Sequence, residues 1–129
     1  TILVHAKDTI QVLNRSRENK IISSFSYDSG ESWTDLKPLE LNNPNSGVDG
    51  VTLKNGRHLL VYNPNINGRS KLVLSESDDG INWTDKLILE DEEKGEFSYP
   101  AIIEASDGLV HISYTFNRRN IKHVVIEVN

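Results

Sequence analysis

The stretch SYDSGESW, Ser26 to Trp33, returns fifty residues later as ESDDGINW, Glu76 to Trp83. In both, an Asp able to accept hydrogen bonds from the backbone two residues on is followed by a Gly free to take positive φ, and then by a Trp. Each stretch therefore reads as the tip of a β-hairpin. A tip that recurs at a fixed interval demands strands of similar length and order on either side of it. Periods of this size belong to propellers and other repeat arrays.

The rest of the chain supports that unit. Segments of four to eight residues rich in Ile, Val, Leu, Tyr and Thr alternate with clusters of Gly, Asn, Asp and Pro, and no stretch keeps a helical period for three turns. Eleven strands are expected, over 2–6, 9–14, 20–26, 33–36, 49–53, 58–63, 71–75, 83–89, 101–104, 110–115 and 121–127. They group as four, four and three. The tip falls between the third and fourth strands of each complete group, and the links 7–8, 54–57 and 106–108 fall between the first and second. This predicts an all-β fold of about three β-propeller blades, near 1–41, 42–92 and 93–129. An eleven-stranded sandwich is the rival, but it gives no reason for the tip to recur at one blade position. Propellers close about four to eight blades into a ring. The expectation is thus the C-terminal part of a larger propeller, or a half-ring, which self-associates or pairs with the missing half; two copies would approximate a six-bladed ring.

Charge and composition narrow the chemistry. With 14 basic and 19 acidic residues the net charge is −5, so the overall field repels nucleic acid and anionic membranes, and any anion recognition must be local. No apolar run approaches the length of a membrane span. The absence of Cys excludes disulfides and thiolate chemistry. His5, His58, His111 and His123 lie in or beside apolar runs without metal-ligand spacing, so they read as strand residues, and no metal or other cofactor is expected.

S-x-D-x-G-x-x-W is the Asp box of the sialidase (neuraminidase) superfamily, and SYDSGESW matches it at every fixed position. ESDDGINW keeps Asp78, Gly80 and Trp83 in that reading, with Glu76 in place of the Ser. DTIQVLNRSR resembles the strand that delivers the family's second carboxylate-binding arginine, which points to Arg15, with Arg17 as competitor. VYNPNINGRSKLVLSESDDGINW resembles the third-arginine region, which points to Arg69. FSYPAIIEASDGLVHISYTF resembles the nucleophile segment, which points to Tyr99. The order Arg15, box, Arg69, box, Tyr99 is the family order over essentially the whole chain. The resemblance places the first arginine, an acid/base Asp and a Glu partner upstream of Thr1, and is compatible with a periplasmic or secreted protein whose leader also lies upstream. Two positions depart from the pattern. Thr115 stands where a Glu is common, and Pro100 follows the nucleophile Tyr where a Ser is usual.

What the resemblance implies is an exo-acting hydrolase that releases a terminal sialic acid or related acidic sugar from a glycan. Arginine forks hold the anomeric carboxylate bidentately, and a neutral phenol avoids the repulsion a carboxylate nucleophile would meet there, giving a covalent intermediate and retention. The alternatives are a propeller that binds acidic glycans without cleaving them, and a structural fragment. Singly, each residue also has a plainer reading: Arg15 as an exposed strand end, Arg69 as a turn cap, Tyr99 as a core aromatic. Asp49, in NSGVDG, either contacts substrate or an arginine, or closes its loop as an Asx turn.

Overall fold

The computed structural model describes residues 1–128, and every regular element among them is a strand. The first antiparallel sheet runs β1 (Ile2–Val4), β2 (Ile10–Asn14), β3 (Lys20–Ser26), β4 (Lys37–Asn42). The second runs β5 (Asp49–Thr52), β6 (His58–Tyr62), β7 (Lys71–Ser77), β8 (Thr84–Asp91), and the third β9 (Phe97–Glu104), β10 (Val110–Phe116), β11 (Asn120–Ile126). The first strands of the sheets are neighbours, β1 beside β5 and β5 beside β9. These are three blades of a propeller, and the ring is not closed.

Period-two alternation builds two cores around the middle blade. Along β6, Leu59 and Val61 face the third blade, where they meet Phe97, Ile102, Val110 and Ile112, while Leu60 and Tyr62 face the first and meet Leu3, Leu13 and Ile21. Both faces of β6 are covered, which is why HLLVY reads as a continuous apolar run instead of an alternating one. The outer blades have only one covered face. Ile2 and Val4 on the first, and Ile103 and Val125 on the third, stay about half exposed. Short polar bonds lock the innermost strands together. Thr1 Oγ1 donates to Gly50 O at 3.0 Å, Thr52 Oγ1 accepts from Val4 N at 2.9 Å, and Asp49 Oδ2 accepts from Ile102 N at 2.9 Å.

Two local expectations are corrected. The fourth strand is Lys37–Asn42, not 33–36. Trp33 folds back so that its Nε1 donates to Gly30 O at 3.1 Å, and Thr34 spends its hydroxyl and carbonyl on Phe25 N and Ser24 Oγ, so regular pairing begins only at Lys37 opposite Ser23. In the second box the working acid is Asp79, not Asp78, and the working hydroxyl is Ser77, not the Glu76 position. Asp79 Oδ1 accepts from Ile81 N at 2.8 Å and Asn82 N at 2.7 Å, and Ser77 Oγ accepts from Gly80 N at 2.9 Å. This tip is one residue shorter than the first, where Asp28 takes Ser32 N and Ser32 Oγ and Ser26 Oγ takes Gly30 N. Gly80 permits no side chain: its φ is +72°, and a Cβ would lie 1.9 Å from Gln11 Oε1.

These contacts set the acid response. The Ser32 hydroxyl, with further donors, pulls the Asp28 carboxyl down to about 2. Burial works to raise Asp79, but the Asn82 and Ile81 amides and the side chains of Asn82 and Ser77 outweigh it and hold that carboxyl well below the usual range. Desolvation, with the nearby His5 charge, lowers the His58 imidazole to about 4. A His lowered from its ordinary value of 6.5 contributes fully above that pH and loses the contribution as pH falls toward 4. The aspartates, lowered from 3.8, contribute above that pH and lose their share as pH falls toward 2. Thermal melts should therefore decline in two steps on acidification. His58→Gln should flatten the upper step and Asp28→Asn the lower; melts parallel to the parent in both windows would show that other groups govern acid unfolding.

Candidate functional site

Each blade carries an arginine in the link between its second and third strands. Arg15 opens the link that follows β2, and its Nη1 reaches Asn45 O at 3.5 Å. Arg69 lies near the end of the link between β6 and β7, and its carbonyl accepts from Phe97 N at 2.9 Å, which ties that link to the start of β9. Arg118 sits in the turn between β10 and β11. Arg69 and Arg15 both act on Tyr99, and Arg118 is linked to it by charge. The Arg69 Cζ stands 5.3 Å from the Tyr99 ring centroid.

Local sequence explains why Tyr99 projects. Ser98 pairs with Thr115 and Ala101 with Ser113, so Tyr99 and Pro100 together oppose Tyr114, a bulge of two residues against one. Proline fits there because it has no ladder donor to lose, and Pro100 is buried. Tyr99 itself is held at φ +53°, a strained conformation for a non-glycine residue of the kind that concentrates at functional sites. The kink turns its side chain outward, 62% exposed, against Gly47 of the link between the first two blades.

Beneath it lies a buried polar network with no exposed member. Ser46 Oγ donates to Asn63 Oδ1 at 2.7 Å, while Asn63 Nδ2 donates to Lys71 O at 2.7 Å and Phe97 O at 2.9 Å. Asn43 Oδ1 accepts from Ser46 N at 2.9 Å. One amide thus fixes the first interblade link, the root of the Arg69 link and the strand that carries Tyr99.

The electrostatics favour a phenolate and an anion. The Arg69 guanidinium, first by hydrogen bonding and then by charge, lowers Tyr99 from its ordinary value, with Arg15 adding to the effect. Among the described residues neither Arg15 nor Arg69 forms an ion pair. In a chain of net charge −5, these two forks are a local concentration of positive charge whose planar donors have the geometry of carboxylate recognition. No cluster of His, Asp or Glu among the described residues has the make-up to hold a metal ion.

The structure brings Arg15, Arg69 and Tyr99 together. It is Arg15 that acts on Tyr99, while Arg17 is exposed farther along the same link. Asp49 does not close its own loop; its carboxylate ties β5 to β9 three residues past Tyr99. Sequence reasoning missed Arg118 and the Asn43–Ser46–Asn63 network. The twin Asn-Pro-Asn runs at 43–45 and 63–65, and an Asn-Arg pair at 117–118 in the link equivalent to that of Asn14-Arg15, were the available signals.

Comparisons with known proteins agree with the blade architecture. A family model described as a BNR repeat-like domain matches residues 1–112. A sequence search of curated proteins returns no match. Among solved structures, the intramolecular trans-sialidase from Ruminococcus gnavus, in complex with oseltamivir carboxylate, aligns with a TM-score of 0.82 and 18% identity over 99% of this chain and 32% of that one. The leech intramolecular trans-sialidase, complexed with 2,7-anhydro-Neu5Ac, gives 0.79 and 18% over 98% of this chain and 23% of that one. A lectin from Aleuria aurantia, an N224Q mutant in complex with Fucalpha1-6GlcNAc, gives 0.62 and 12% over 97% and 40%. The chain therefore spans a third or less of the two trans-sialidases.

Proposed function

The chain belongs to the BNR repeat-like domain family, and on that footing we propose that it forms the acid-binding and nucleophile-bearing part of a sialidase-like glycoside hydrolase. The observation that carries the reading is the placement of Arg69 over the ring of a strained, exposed tyrosine whose phenol Arg69 and Arg15, from different blades, both pull down from its ordinary value. In this mechanism the two forks hold the anomeric carboxylate of a terminal sialic acid or related acidic sugar. Tyr99, losing its proton to a base, attacks the anomeric carbon; the glycosidic C–O bond breaks and the leaving oxygen takes a proton. Water then releases the sugar with retention. The resemblance assigns the base and the proton donor to residues outside this chain. Asp49 serves this site by setting the spacing of β5 and β9.

Calorimetric titration of the chain with N-acetylneuraminic acid tests the binding half. Arg69→Lys replaces a planar fork with a point charge and should weaken binding by roughly tenfold. Equal affinity in parent and variant would remove Arg69 from the site.

A second reading, an acidic-glycan-binding propeller without turnover, is favoured by one observation: among the described residues, the charged groups acting on Tyr99 are the cations Arg69 and Arg15. The likeness to a lectin propeller is in keeping with it. Turnover of a fluorogenic sialoside by the protein with its ring complete separates the two. The half-exposed apolar faces of the first and third blades are the surfaces on which that ring, or a second copy, would close.

A further inference from the structure

β3 runs from the Arg15 link to the first hairpin tip, and at the tip end, away from the arginine-bearing links, a groove opens between the first two blades. Its volume is about 320 Å³, a size that takes one small ligand. One wall is aromatic. Phe25 and Tyr27, two residues apart, hold their rings parallel to within 6° with centroids 6.0 Å apart, and His5 packs on Phe25 at 5.5 Å. Ile81, from the second tip, supplies another wall. The floor is polar: Ser23 is 4% exposed, its Oγ accepts from Gln11 Nε2 at 2.8 Å, and its own hydrogen has no acceptor among the described residues. The same amide donates to Gly80 O at 2.8 Å, so one buried side chain fixes both Ser23 and the tip that carries Ile81. Asp35 and Lys37 also line the groove, and neither forms an ion pair or a side-chain hydrogen bond among the described residues. The fold itself makes no use of the Tyr27 side chain. The first tip closes through Ser26, Asp28 and Ser32, while Tyr27 stays 66% exposed beside an Ile81 that is 53% exposed.

We infer that this groove is a second binding site, for a neutral pyranoside, at the opposite end of the blades from Tyr99. Exposed apolar groups bordered by polar ones mark ligand grooves, and here the two kinds are arranged as a pyranose requires. A pyranose has an apolar face of C–H bonds and an edge of hydroxyls. The C–H face, slightly positive, lies against the electron-rich faces of the Phe25 and Tyr27 rings. Hydroxyls on the edge accept from Ser23 and Lys37 and donate to Asp35. A wholly apolar occupant would fit the aromatic wall but would strand the Ser23 hydrogen and the Asp35 and Lys37 charges away from water, which costs more than the apolar contact returns. One carboxylate and one ammonium leave the groove neutral overall, in contrast to the two arginines at the other end. The groove shares no residue with the Arg15, Arg69 and Tyr99 site, so it stands or falls apart from the acidic-sugar reading.

The test is an amide NMR titration of the chain with methyl β-D-galactopyranoside, a neutral sugar with a continuous patch of C–H bonds on one ring face. Signals of Tyr27, Asp35 and Ile81 should move together, with those of Arg69 and Tyr99 unmoved. Tyr27→Ala should weaken binding by roughly tenfold and Tyr27→Phe, which keeps the ring, by less than about twofold. Asp35→Ala should weaken it by roughly threefold to tenfold. Both positions are exposed, so these variants should keep the parent fold, which the same spectra report. Cyclohexanol is the control, an apolar ring without the edge of hydroxyls, and it should move these signals far less at equal concentration. Equal response to cyclohexanol and the galactoside reduces the groove to an apolar patch and overturns the site. Affinity unchanged in both Tyr27→Ala and Asp35→Ala overturns it as well. Movement confined to Tyr99 and Arg69 assigns the galactoside to the other end of the blades and rejects the groove, as does the absence of any movement.

Discussion

Tyr99→Phe is expected to lower turnover of a fluorogenic sialoside by about a thousandfold or more in the ring-complete protein, with its melting temperature unchanged. The ring keeps its contact with Gly47 and the bulge keeps its backbone, so packing is preserved. Only the oxygen is lost, the one atom that Arg69 and Arg15 both act on. A variant with parental rate would reject Tyr99 as the nucleophile. A spectroscopic companion needs no turnover. Because Arg69 favours the phenolate, Arg69→Ala should return the Tyr99 titration toward its ordinary range, read as the difference in phenolate absorbance against Arg69→Ala/Tyr99→Phe. No movement of that titration would separate Arg69 from the hydroxyl.

The largest stability effect belongs to a residue that touches no ligand. Asn63→Ala leaves the carbonyls of Lys71 and Phe97 and the hydroxyl of Ser46 without their partner in a site that water does not reach. Buried polar groups stranded in this way cost about 1–3 kcal/mol each, so a total of about 3–5 kcal/mol is expected, a fall of roughly 10 °C or more in Tm for a chain of this size. Asn63→Asp should be no milder, since it replaces the donating amide with a carboxylate oxygen that faces two carbonyl oxygens. Neighbouring Asn65, whose bonds to Ser70 Oγ and Lys71 N lie in a partly exposed link, is the control, and Asn65→Ala should cost far less. Similar melts for the two variants would show that the network does not hold the blades. Its loss should also weaken acid binding in whatever fraction stays folded, because the same amide sets the roots of Arg69 and Tyr99.

The number and order of strands were legible because period-two alternation and turn chemistry are local: a strand such as Lys20–Ser26 carries its own pattern, and each link carries its Gly, Asn or Asp. The failures were also local in position but not in cause. Trp33 to Leu36 has the composition of a strand, yet Trp33 is drawn back to Gly30 and Thr34 to Phe25, so the ladder waits until Lys37. Asp78 and Asp79 are identical in chemistry, and only the shorter arc of the second tip decides that Asp79 faces the amides.

The site divides along the same line. Arg15, Arg69 and Tyr99 stood out in the sequence because their surroundings resemble a family and fall in its order. By itself the sequence determined the blade repeat, the tips and that order, since each depends on residues within a few positions of one another. The stacking of three blades decided the rest. Arg118 lies 103 positions from Arg15, and although each follows an Asn in an equivalent link, the placement of those links at one end of the blades is encoded in neither segment. It follows from β1, β5 and β9 packing side by side, which brings equivalent links to one place. The Tyr99 kink likewise required the register of β9 on β10, and the reach of Asn63 from Ser46 to Phe97 required both blade interfaces, because a hydrogen bond depends on distances that only the packed chain sets.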